Sequence, residues 1–77
     1  MIDAEDLIKA REILKKEVKS YTSQGFGEYV IYKNLAKKYN CTQNWMTIKR
    51  FVEQEIKSFN SAEKIALNIL EKQNEQS

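Results

Sequence analysis

Apolar residues recur along the chain at helical spacing, interrupted by short polar breaks. Between residues 4 and 21, Leu7, Ala10, Leu14, Val18 and Tyr21 fall at steps of three, four, four and three, one face of an amphipathic helix. Asp3 stands ahead of it as a natural N-cap, and Glu5 and Asp6 occupy the first turn, where negative charge complements the helix dipole. SQGFG at 23–27 ends the pattern, because its two glycines permit positive backbone angles.

Tyr29 to Tyr32 have strand propensity but are too few to build a sheet. They are expected to lead in extended form into a second helix, near Tyr32 to Tyr39, with Leu35, Ala36 and Tyr39 on its buried side. Asn40 follows as a residue that tolerates the left-handed conformation closing a helix.

Thr42 or Asn44 can cap a third helix, in which Trp45, Ile48, Val52, Ile56 and Phe59 recur at three, four, four and three, with Phe51 widening the stripe. Trp45 is assigned to the core with Phe51 and Phe59. Asn60 is expected to start a fourth helix, with Glu63 completing a capping box. Residues 72–77 then read as a frayed polar tail. No alternating hairpin follows residue 45, so the expected fold is all-α: a three-helix, helix-turn-helix-like core plus a C-terminal fourth helix, in one domain spanning 1–77.

Composition narrows the picture. A chain of 77 residues, 42% hydrophobic and 31% charged, is globular in composition, and at this size folding buries only about 60% of the unfolded surface. Cys41 has no second cysteine to pair with and the chain has no His, which removes an internal disulfide and the commonest zinc ligand. No cofactor is implied. Cys41 reads as a buried free thiol in a reducing compartment. MIDAEDLIKARE lacks the charge and apolar pattern of a signal peptide, and no apolar run approaches the roughly 20 residues of a spanning helix. A cytoplasmic location without membrane contact is expected. The usual nucleophile, base and metal constellations are missing, so the chain does not read as an enzyme; Asp3, Glu5 and Asp6 serve the helix start.

The segment LAKKYNCTQNWMTIKRFV resembles the helix-turn-helix of bacterial and phage DNA-binding proteins. In that family a small residue lets the first helix approach the second, Gly or Asn occupies the turn, and a small apolar residue and a Ser or Thr introduce the recognition helix. Ala36, Asn40, Cys41 and Thr42 match those roles in order. The family's branched apolar residue falls on Met46, whereas helical periodicity favours Ile48, which implies a turn longer by two residues or a different packing of the third helix. The resemblance implies sequence-specific or architectural binding of double-stranded DNA, in transcriptional control or in the regulation of a mobile element.

Charge agrees with that expectation. Residues 28–50 carry Lys33, Lys37, Lys38, Lys49 and Arg50 against Glu28 alone, a basic centre within a chain of net charge +2. A solvated lysine-rich face is the plain alternative. With the apolar stripe of the third helix turned inward, Gln43, Thr47, Arg50 and Gln54 align outward at four, three and four, side chains suited to base edges in the major groove. Lys33, Lys37, Lys38 and Lys49 are then expected to meet phosphates. Tyr29 and Tyr32 read as packing residues, with hydrogen bonding to phosphate as the alternative. Glu53 and Glu55 would repel DNA, which confines deep contact to the first two turns.

In the last helix Ala62, Ile65, Ala66, Leu67, Ile69 and Leu70 cover an arc of about 200°, wider than the roughly 100° a surface helix needs. A homodimer through residues 61–72 accounts for the surplus, with Ile65, Leu67, Ile69 and Leu70 as its contacts. The competing reading is a small adaptor or inhibitor that docks this helix on another protein.

Overall fold

The computed structural model describes residues 3–53 and 59–76, and these form an all-α fold of four helices: α1 (Ala4–Ser23), α2 (Glu28–Lys38), α3 (Trp45–Val52) and α4 (Phe59–Gln76). Among the described residues there is no strand. Among the described residues no helix is long and apolar enough to cross a membrane.

Asp3 starts α1 as expected: its carboxylate accepts a 3.0 Å hydrogen bond from the Asp6 amide. The helix closes in a Schellman motif. Gly25 takes φ +93°, its amide donates to Thr22 O, and the amide of Phe26 reaches back to Tyr21 O. The ring of Phe26 meets that of Tyr21 edge to face at 5.7 Å, the apolar contact that accompanies this ending.

The same device closes α2. Asn40 adopts φ 56°, its amide donates to Lys37 O, and the Cys41 amide donates to Ala36 O at 2.8 Å. Residues 29–32 are helical, in place of the extended lead-in expected of them, because α2 starts at Glu28 directly after Gly27. Ile31, Tyr32, Leu35 and Tyr39 share one helical face and are all buried. Burial of that face outweighs the small helix penalty of a Tyr-Val-Ile-Tyr run. Ala36 is only half-buried at its edge.

Of the two candidate caps for α3, Asn44 fills the position, its side-chain oxygen accepting from the Met46 amide at 2.8 Å. Ile48, Phe51 and Val52 are buried, while Trp45 is half-buried and packs against the core from its margin. The helix is shorter than its apolar stripe suggests. It ends at Val52, and Phe59 opens α4; Ile56 lies outside the described residues. Since α4 begins at Phe59, Asn60 falls within its first turn and is not its N-cap, which removes the premise of the capping box with Glu63. At the other end the helix continues through Gln76, across residues expected to fray.

The core is a single cluster drawn from all four helices: Ala10 and Leu14, then Ile31, Tyr32, Leu35 and Tyr39, then Ile48, Phe51 and Val52, and finally Ala62, Ile65, Ala66 and Ile69. α1 packs most extensively on α4, and α2 on α3. Ile65 and Ile69 are both 0% exposed within one protomer, so neither belongs to a dimer surface. The wide apolar arc of α4 has a simple explanation: its neighbours within the fold cover most of it. Only Leu67 remains exposed, with Leu70 half-buried against the core.

Candidate nucleic-acid interface

Around α3 the buried positions Ile48, Phe51 and Val52 leave Met46, Arg50 and Glu53 outward, with Trp45 and Lys49 on the flank beside α2. Arg50 is exposed. Thr47 is half-buried on the opposite flank. Gln43 lies in the turn before the helix and departs from the expected row. It lines a cleft of about 380 Å³ between the turn and α4, with Asn40, Thr42, Lys64, Leu67, Asn68 and Glu71, and its Oε1 is buried without a hydrogen-bond partner. Gln54 lies outside the described residues. Of the four expected base-facing side chains, the structure therefore brings Arg50 fully to the surface and Thr47 to its edge.

The lysines divide into paired and unpaired. Lys49 Nζ donates to Glu28 Oε2 at 3.0 Å, and this contact raises its pKa above the ordinary lysine value. Lys38 is bound to Glu17 of α1, which also raises its pKa, and it lies over the ring of Tyr39 at 5.3 Å. Lys33 lies over the ring of Tyr29 at 5.1 Å. Lys37 is exposed one turn further along the same row. Lys33, Lys37 and Arg50 are thus the cations of this face without a carboxylate partner among the described residues.

Tyr29 belongs to the surface, contrary to its reading as a packing residue: it is 52% exposed and meets Trp45 edge to face at 5.4 Å. Tyr32, by contrast, is buried. Burial, with Glu53 and Glu28 adding to it, pushes the pKa of the Tyr32 phenol up. Tyr29, Lys33 and Lys37 fall four apart on one row of α2 that starts beside Trp45 of α3, a spacing that is invisible when residues 29–32 are taken as extended. Phe26, Val30 and Met46 add exposed apolar area.

The thiol of Cys41 is half-buried and packed against the core, and burial raises its pKa, with the Asn68 amide opposing. That is the environment of an inert thiol. Among the described residues no group of His, Cys, Asp and Glu is arranged to hold a metal ion.

No protein-family model, curated protein or solved structure matches this chain.

Proposed function

We propose that the protein is a small DNA-binding protein that presents its α2–α3 unit to DNA and acts as a transcriptional or mobile-element regulator in the cytoplasm. The observation that carries this reading is the exposure of Lys33, Lys37 and Arg50 on two packed helices joined by a six-residue turn, with no carboxylate bridged to any of the three among the described residues. Such cations bind phosphate and release counterions. Arg50, on the outer line of α3, is the side chain suited to a guanine edge. Lys38 and Lys49 are secondary, because each must leave a glutamate to reach DNA.

The test is fluorescence anisotropy of a labelled random duplex at low and near-physiological salt. Binding that weakens steeply with salt and falls in Lys37→Ala and Arg50→Ala supports the assignment. Absence of binding at low salt overturns it.

A protein-docking role is the second reading, and exposed Leu67 beside the α4 cleft is the observation that favours it. In that case Leu67→Asp abolishes partner binding while Arg50→Ala leaves it intact.

A further inference from the structure

The corner where α2 meets α3 has a chemistry that duplex phosphate contact does not require. Tyr29 presents half of its surface to solvent, Trp45 stands at right angles to it, and exposed Met46 extends the apolar area along α3. Phosphate binding needs cations and hydrogen-bond donors. The hydroxyl of Tyr29 can serve a phosphate, but the exposed ring of Tyr29, the half-buried ring of Trp45 and the Met46 side chain cost apolar hydration that a phosphate contact does not recover.

We propose that this corner takes an unpaired base, so that the protein prefers DNA containing an opened or single-stranded segment over intact duplex. The inference rests on the DNA-binding reading of the α2–α3 face. Exposed aromatic rings edged by cations are how nucleic-acid proteins hold bases without reading sequence, since every base has a π-face. Here the ring and the cations share one helical row: Tyr29 offers the surface, and Lys33 and Lys37 follow at one and two turns.

Lys33 gives the arrangement its second function. Its ammonium now lies over the Tyr29 ring, an exposed cation–π contact that is weaker than the stacking of a base on the same ring. An incoming base displaces the ammonium, which is then free for the adjoining phosphate. The Glu28–Lys49 pair bounds the corner on the α3 side with exposed Glu53 near it, and Lys33, Lys37 and Arg50 outnumber that one unpaired carboxylate among the described residues. That charge favours a polyanion over an apolar protein segment as the occupant.

Three labelled DNA probes of one sequence test the proposal: a perfect duplex, the same duplex with a mismatched bubble of about four base pairs, and the single strand, a length within the roughly 4–16 nucleotides of known single-strand sites. The bubble and the single strand are expected to bind at least about fivefold more tightly than the duplex, and Tyr29→Ala to remove that advantage while Tyr29→Phe retains it. The emission of Trp45, the chain's one tryptophan, should be quenched by the bubble and the single strand and little changed by the duplex. Tyr29 is exposed, so its replacement leaves the core intact. Equal binding of duplex and bubble, or a preference that survives Tyr29→Ala, overturns this inference and leaves duplex binding standing. Failure of all three probes to bind overturns both.

Discussion

The hydroxyl of Tyr39 donates a 2.7 Å hydrogen bond to Oε2 of Glu17, while the other oxygen of that carboxylate holds Lys38. One side chain of α1 therefore fixes the end of α2 and occupies a lysine that the basic centre would otherwise offer to DNA. Glu17→Ala should lower stability by about 1.5–3 kcal/mol, the worth of hydrogen bonding to a charged group, measured as a shift in urea midpoint. The same change releases Lys38. If Lys38 then reaches phosphate, the salt slope of DNA binding steepens by about 0.9. An unchanged slope places Lys38 away from the DNA.

The same contact sets a pH dependence. Burial, and then the Glu17 carboxylate, push the Tyr39 pKa up to about 12 from the ordinary 10.0. Between those values the unfolded chain loses a proton that the folded chain keeps. The contribution to stability is intact below pH 10.0 and disappears as pH rises through about 12. Lys38, whose pKa is also raised, acts with the same sign. Tyr39→Phe should flatten the decline in urea midpoint across that window, and an equally steep decline in the variant would refute the assignment.

The two glycines of the first turn should respond in opposite directions. Gly25 has positive φ, so Gly25→Ala should cost about 1 kcal/mol in backbone strain despite the open space around it. Gly27 is the N-cap of α2, with an extended backbone and no side-chain cap. Gly27→Ser supplies the missing acceptor and should gain a few tenths of a kcal/mol in thermal or urea unfolding.

On α4, neighbouring positions separate core from surface. Ile69→Ala should cost about 2–5 kcal/mol and Leu67→Ala within about 0.5 kcal/mol. If the fold holds itself together as one protomer, the urea midpoint stays constant when protein concentration changes about a hundredfold; a midpoint that rises with concentration restores the dimer.

DNA contacts should also sort by pairing. Arg50→Ala is expected to reduce discrimination between sites by about 1–3 kcal/mol if it reads guanine. Lys37→Ala should weaken all sequences alike and lower the salt slope by about 0.9. Lys49→Ala should do less, because Glu28 already neutralises it. Equal losses in Lys37→Ala and Lys49→Ala, by anisotropy across a salt series, would contradict that order.

Four helix termini were legible in the sequence, though both ends of α4 and the end of α3 were not. Asp3, Gly25, Asn40 and Asn44 act as the local chemistry of their residue types dictates, since caps and left-handed turns depend on near neighbours. The start of α2 was not legible, because residues 29–32 favour strands locally and become helical by burying Ile31 and Tyr32 against distant helices. For the same reason the surplus on α4 looked like a dimer face: periodicity counts apolar residues, but which neighbours cover them is a tertiary fact. The candidate interface was legible in its charges. Its pairing pattern was not, since Glu17 lies 21 residues from Lys38, as Glu28 does from Lys49.

At the far end of α3, Arg11 Nε donates to the carbonyl of Phe51 at 2.8 Å, and the guanidinium lies over the Phe51 ring at 5.1 Å. A helix of eight residues is too short to persist alone, where about 12–15 are marginal. Asn44 holds its beginning, Glu28 its flank through Lys49, and Arg11 its final turn. The α2–α3 unit is consequently not a portable cassette. Grafted onto another scaffold as residues 28–52 it would carry its cations but lose the α1 anchor, and only a graft that imports an equivalent arginine would keep α3 aimed.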